Sequence, residues 1–167
     1  TKFQRQNPKI YSPANRKILY CRDIFRDYIH NLTSEFDGIV NAPEDIEYVH
    51  RARVSSRRLR AALKIFKPVL QSKLHNDLLK QTRKITKKLG PARDTDIQTQ
   101  FIREMLENAC KTDRTVKFGL LRLLLRLKLK RDKFQNDIDE TIIKLRQKNT
   151  FIILEHQLNL FALKNSE

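Results

Sequence analysis

The chemistry that this sequence offers is carried by cations repeated at helical spacing. From His50 to Lys67 there are seven Lys or Arg residues and no acidic residue. At about 100° per residue on a helix, one side within about 80° would hold His50, Arg53, Arg57, Arg60 and Lys64. The opposite side would hold the apolar residues Ala52, Leu59, Leu63 and Phe66. Solvated helix faces usually mix charges of both signs, so this row predicts a surface that binds an anion.

Two later segments repeat the pattern. Between Lys80 and Arg93 there are six basic residues and no acid. Their apolar face would hold Leu74, Leu78, Ile85 and Leu89, with Lys73, Lys80, Lys84 and Lys87 opposite. A third row consists of Arg122, Arg126 and Lys133. One helical turn rises about 5.4 Å, so a repeating phosphate chain can be contacted at every turn. We therefore expect the three rows to line one groove.

Composition limits the class of protein. The 167 residues hold 35 Lys or Arg against 19 Asp or Glu, a net charge of +16. This charge predicts an anionic partner such as nucleic acid, a membrane surface or a phosphate polymer. The longest apolar run, 151–154, is far short of the roughly 20 residues of a membrane span. Two cysteines form neither a disulfide framework nor a zinc site, and we expect a cytoplasmic location.

Apolar spacing predicts an all-α fold, an antiparallel bundle of five or six helices. The expected helices are 13–38, 41–67, 72–89, 93–109, 113–148 and 151–163. Gly90-Pro91 is expected to separate the third helix from the fourth. In the expected domain organisation, 1–11 is a basic flexible lead-in, 12–149 is the bundle, and 150–167 is an apolar C-terminal segment that is also helical.

Two stretches resemble the signatures of a known family. One is the segment 48–70, YVHRARVSSRRLRAALKIFKPVL, and the other is 82–97, TRKITKKLGPARDTDI. Their content, order and separation are similar to those of CHAD domains, the conserved histidine α-helical domains. The resemblance implies a helical bundle that binds inorganic polyphosphate in a basic groove without catalysing a reaction. It also implies a location in the cytoplasm or on polyphosphate granules.

The resemblance and the three rows together predict the binding residues. The family's histidine corresponds to His50, and its cations correspond to arginines and lysines in both signatures. The predicted polyphosphate-binding residues are His50, Arg53, Arg57, Arg58, Arg60, Lys64, Lys80, Arg83, Lys84, Lys87, Lys88, Arg93, Arg122 and Arg126. Asp94 and Asp96 match the family's acids, and we expect Asp94 to cap the fourth helix. No enzymatic activity, metal site or cofactor is expected, because no Ser-His-Asp, HExxH, Walker or GxGxxG pattern occurs.

The chain departs from the family in one respect. Members usually carry a second half with its own His-and-Arg signature, and the sequence shows no such copy, so we expect either a half-length form or a fragment of a longer chain. The fifth helix has two apolar rows, Leu120, Leu124 and Leu127 in one and Phe118, Leu121, Leu125 and Leu129 in the other. A helix that is apolar on two sides needs two neighbours. These are either a second copy in a homodimer or helices of the same bundle.

Two rival functions also fit the charge. A basic helical nucleic-acid-binding domain is the alternative, because phosphate contacts dominate there too. Against it, Trp is absent, and most Phe and Tyr residues lie at core spacing, which leaves few platforms for base stacking. A membrane-surface protein is the second rival, since the Leu- and Arg-rich segment 120–133 suits an interfacial helix. Competition between polyphosphate, nucleic acid and lipid separates these functions.

Overall fold

A computed structural model describes residues 13–109 and 114–164. Its six helices are α1 Pro13–Thr33, α2 Phe36–Asn41, α3 Ile46–Ile65, α4 Ser72–Ala109, α5 Arg114–Gln147 and α6 Thr150–Lys164. The expected all-α fold is confirmed, and those two ranges contain no strand. The expected lead-in 1–11 and the cap expected at 112–113 lie outside the described residues.

The boundaries of the first helices differ from expectation. α1 ends at Thr33 rather than near Gly38, and the short α2 follows it. α3 begins later than expected, because the Asp45 carboxylate accepts the Glu47 backbone N–H at 3.0 Å. That hydrogen bond satisfies one of the free N–H groups of the first turn and caps the helix there.

The expected break at Gly90-Pro91 is wrong, because α4 continues through it with Pro91 inside the helix. The Pro91 carbonyl oxygen still accepts a hydrogen bond, from Thr95 Oγ1 at 2.8 Å. Leu89 and Ala92, on either side of the proline, are fully buried. α4 packs against both α3 and α5. This burial offsets the cost of an internal proline, about 3 kcal/mol.

One core joins the helices. α1 packs against α3 and α6, while α4 packs against α3 and α5. Fully buried large side chains include Phe25, Leu32, Leu59, Leu78, Leu89, Ile138, Ile142 and Leu158. α6 contributes to the same core through Phe151, Leu154 and Leu158. Burial raises the pKa of Cys21, on α1, to about 12, so its thiol stays protonated and unreactive.

The two longest helices extend beyond the start of α3. Glu47, in the first turn of α3, lies 4.0 Å from Arg93 of α4. From there α4 continues to Ala109, about 24 Å further at 1.5 Å per residue, and α5 returns beside it. We call residues 97–109 and 114–129 the hairpin extension. Of the 16 large apolar side chains exposed in the described part, nine lie on it: Ile97, Phe101, Met105, Val116, Phe118, Leu121, Leu123, Leu125 and Leu129.

The contact between α2 and α3 requires a glycine. A Cβ atom added to Gly38 would overlap the ring of Tyr48. We therefore expect Gly38→Ala to lower the free energy of unfolding by about 1–3 kcal/mol, the usual cost of overpacking. The control is Gly119→Ala on α5, where an added Cβ meets no atom, and we expect a gain of about 0.5–1 kcal/mol. Urea denaturation measures both, and a destabilised Gly119→Ala beside an unchanged Gly38→Ala would contradict this account.

Candidate phosphate-binding groove

A groove between α3 and α4 collects cations from both helices. Its volume is about 590 Å³, and it is lined by Arg57, Arg60, Ala61, Lys64, Lys67, His75, Leu79 and Arg83. Within the described part of the chain, no acidic side chain lines it. We call its five Lys and Arg residues the groove cations: Arg57, Arg60, Lys64, Lys67 and Arg83. Their charges are therefore not neutralised by a neighbouring carboxylate in the groove.

The antiparallel pairing of α3 and α4 produces this groove. Leu59 and Leu63 are fully buried, so they fix the rotation of α3 and leave its basic row at the solvent edge. On α4, Leu78 and Ile85 are fully buried in the same way, and Arg83 is exposed beside α3. Because the short turn 66–71 joins the helices, the end of α3 lies beside the start of α4.

Two polar residues of the groove, Lys67 and His75, were not among the predicted binding residues. Lys67 continues the row one turn after Lys64, so the row's own spacing was the signal for it. His75 is only 5% exposed, and its Nε2 lies 3.1 Å from the Leu63 carbonyl oxygen. A carbonyl oxygen only accepts, so Nε2 carries the proton and donates it, which ties the start of α4 to the last turn of α3. Nothing near His75 in sequence signals this contact, since its partner belongs to another helix.

The Arg-Asp pair of the second signature links α4 to α3. Arg53 Nη2 lies 3.5 Å from Asp94 Oδ1, and Arg93 Nη1 lies 4.0 Å from Glu47 Oε1. The expected role of Asp94 as a helix cap is wrong, because Asp94 lies inside α4. Its carboxylate faces Arg53 instead, so the structure places both Arg53 and Arg93 in contacts between helices.

The remaining predicted residues lie outside the groove lining. Lys88 Nζ lies 2.9 Å from Asp137 Oδ2 and so joins α4 to α5. His50 is half-buried on α3, and Arg58 is exposed about 100° away from Arg57 around the helix. Five further cations are exposed, on α4 and α5: Lys80, Lys84, Lys87, Arg122 and Arg126. Of the predicted residues, the structure thus brings Arg57, Arg60, Lys64 and Arg83 together in the groove.

A separate cluster of polar groups is buried where α4 meets α5. Arg131 Nε donates to Asp96 Oδ1 at 2.7 Å, and Arg131 Nη1 donates to Gln135 Oε1 at 2.7 Å. Gln135 Nε2 in turn donates to the Ile39 carbonyl oxygen at 2.9 Å. Burial raises the pKa of Asp96, because desolvation of the carboxylate outweighs the hydrogen bond from Arg131. Asp96, the second acid of the signature, therefore holds α4, α5 and α2 together.

The described residues offer neither a metal site nor a membrane-spanning helix. Within 13–109 and 114–164, no three His, Cys, Asp or Glu side chains form a group that could hold a metal ion. No helix in these ranges is both long enough and apolar enough to cross a membrane. The expectation that the chain has no enzymatic activity stays a prediction.

Comparison with known proteins identifies the family. A family model described as CHAD domain matches residues 23–156. The match includes both stretches that resemble the family's signatures and all residues that line the groove between α3 and α4. No curated protein and no solved structure matches the chain. Because the family model covers most of the sequence, the chain belongs to the CHAD domain family.

Proposed function

We propose that this chain binds inorganic polyphosphate in the groove between α3 and α4 and does not hydrolyse it. The family is associated in general with polyphosphate binding. The observation that supports this site is the groove itself, where five Lys and Arg side chains face solvent with no acidic residue in the described lining. An anion that enters the groove would relieve the mutual repulsion of these cations.

The groove suits a linear polyanion better than a single phosphate. From Arg57 to Lys64 the basic row extends about 10 Å along α3 at 1.5 Å per residue, and Lys67 in the turn 66–71 lengthens it. A polymer with a charge on every unit can contact several groove cations at once, and each charge-assisted hydrogen bond is worth about 1.5–3 kcal/mol. One orthophosphate ion can contact only a part of the row. Several ions would each lose their own translational and rotational freedom on binding, whereas one polymer loses it once.

Binding should be tight for the polymer and sensitive to salt. We expect chains of about 100 phosphates to bind at least a hundredfold more tightly than orthophosphate, because one molecule reaches several cations. We also expect affinity to fall steeply between about 50 and 200 mM salt, because bound counterions are released from the polymer. Isothermal titration calorimetry measures both effects. Equal affinity for the polymer and for orthophosphate would contradict the groove model.

The same samples test whether the protein is only a binder. We expect no orthophosphate release above the rate without protein during prolonged incubation with polyphosphate. Release that is abolished by replacing a single groove cation would instead identify an enzyme. A nucleic-acid-binding function predicts that duplex DNA competes with polyphosphate at equal charge concentration, whereas we expect DNA to be the weaker competitor.

Two further proposals concern the setting of this activity. A cytoplasmic location with association to polyphosphate granules is expected if polyphosphate is the ligand, and imaging of a tagged chain beside a polyphosphate stain tests it. The homodimer expected from the second leucine row is a separate proposal, because that row lies on α5 and does not line the groove.

A further inference from the structure

The basic row of α3 continues beyond the end of the groove. Arg53 lies one helical turn, about 6 Å, before Arg57 and within about 40° of it around the helix. Arg57 lines the groove and Arg53 does not. The Arg53 Nη2 atom instead lies 3.5 Å from Oδ1 of Asp94 on α4. The next cation of the row is therefore paired with a carboxylate of the same chain.

α4 carries a matching continuation on the other side. Lys87 is exposed and lies one turn after Arg83, about 40° from it around the helix. A Cβ atom added to Gly90, nearly one turn further along, would meet no neighbouring atom within 4 Å. The space beside this part of α4 is therefore open to a ligand. A linear anion that leaves the groove at Arg83 can pass Lys87 and Gly90 and reach Asp94.

The position of Asp94 distinguishes it from the other acid of this region. Between Arg53 and Asp94 the sequence holds one further acidic residue, Asp77. Asp77 lies about 120° from Arg83 around α4, whereas Asp94 lies within about 20° of Arg83. The Asp94 carboxylate thus lies on the groove side of α4, where it binds the guanidinium that a phosphate oxygen would otherwise bind.

We propose that Asp94 competes with polyphosphate for Arg53 and thereby sets how the affinity of the chain depends on polymer length. This inference rests on the proposed function of the groove. The Arg53 and Asp94 side chains are 30% and 61% exposed, and an ion pair of this kind is weak enough to exchange its partner. A short polyphosphate that stays among the groove cations does not meet Asp94. A longer one reaches Arg53, where it must displace the carboxylate.

Isothermal titration calorimetry on the full chain tests the proposal with two probes, tripolyphosphate and chains of about 100 phosphates. Asp94→Asn should bind the long polymer about three- to tenfold more tightly than the wild type, because Arg53 is then free and the repelling carboxylate is gone. Its affinity for tripolyphosphate should stay within about twofold of the wild type, because screening weakens the effect of a charge beyond the groove.

Two further variants serve as controls. Asp77→Asn changes the net charge by the same amount on the same helix, and it should alter the affinity for either probe by less than about twofold. Adding Arg53→Ala to Asp94→Asn should abolish the gain for the long polymer, because the cation that Asp94 released is no longer present. Circular dichroism checks that each variant keeps its helices.

The outcomes separate this inference from the groove model. If Asp94→Asn binds the long polymer no more tightly than the wild type does, the ion pair only holds α3 to α4 and the inference is wrong. An equal gain for Asp77→Asn would assign the effect to net charge and overturn it as well. A wild type that binds the polymer no better than orthophosphate would contradict the groove model itself, and the inference with it.

Discussion

Arg57→Ala should weaken polyphosphate binding at least tenfold, whereas Arg58→Ala should change it by less than about threefold. The two variants remove the same charge from adjacent exposed positions of one helix, so long-range attraction falls equally. Only Arg57 lines the groove. Loss of a direct contact to phosphate costs about 1.5–3 kcal/mol. A charge farther away than about 8–10 Å is largely screened near 150 mM salt, so its loss costs only about a few tenths of a kcal/mol of binding free energy.

The same titration examines the contribution of α4. Arg83→Ala should behave like Arg57→Ala, because both side chains line the groove. Lys84→Ala, one residue further along, should resemble Arg58→Ala. Arg51 is a poorer control, since its Nε donates to Glu35 at 2.9 Å and its guanidinium lies 4.7 Å from the centre of the Tyr48 ring. Equal weakening by Arg57→Ala and Arg58→Ala would show diffuse attraction and exclude the groove.

Asp96→Ala should cost about 3–5 kcal/mol of unfolding free energy, the largest loss that we expect from one ion pair in this chain. The Asp96 and Arg131 side chains are 3% and 12% exposed, so the substitution leaves a guanidinium buried without its carboxylate. Asp94→Ala is the matched control on the same helix. The Asp94 side chain is 61% exposed and 3.5 Å from Arg53, so its loss should cost less than about 1 kcal/mol.

Chemical denaturation in urea measures these losses. The double variant Asp96→Leu with Arg131→Met should recover most of the stability, because neither charge then needs to be desolvated. If the double variant is as unstable as Asp96→Ala, the loss comes from packing and the ion-pair explanation fails. Similar losses for Asp94→Ala and Asp96→Ala would show that burial does not distinguish the two pairs.

Hydrophobic periodicity is sufficient to predict most of the helices. The apolar spacing of α1, α3 and α5 identifies these helices and their buried faces, since a helix repeats every 3.6 residues whatever its surroundings. Pro91 shows the limit of such local signals. A proline preceded by glycine usually ends a helix, but burial of Leu89 and Ala92 between α3 and α5 outweighs that preference.

The spacing of basic residues likewise predicts a part of the candidate site. Spacing along α3 identifies Arg57, Arg60 and Lys64 as one row, because all three lie on one helix. Spacing cannot show which cations form ion pairs with acidic residues of another helix. Arg53 pairs in this way with Asp94, and Lys88 pairs with Asp137. Those contacts depend on the rotation and register of neighbouring helices, and these are set by the packing of the whole core.

Because α4 is one continuous helix, it also holds its two ends at a fixed distance. Arg83 in the groove and Arg103 on the hairpin extension lie on the same helix, about 30 Å apart at 1.5 Å per residue. A joint at Pro91 would have let the two ends swing independently, whereas one continuous helix keeps their distance and relative angle constant. If two chains paired through their hairpin extensions, their two grooves would therefore be held at one set separation. A polymer long enough to reach both would bind with a high local concentration at the second groove, and a shorter polymer would not.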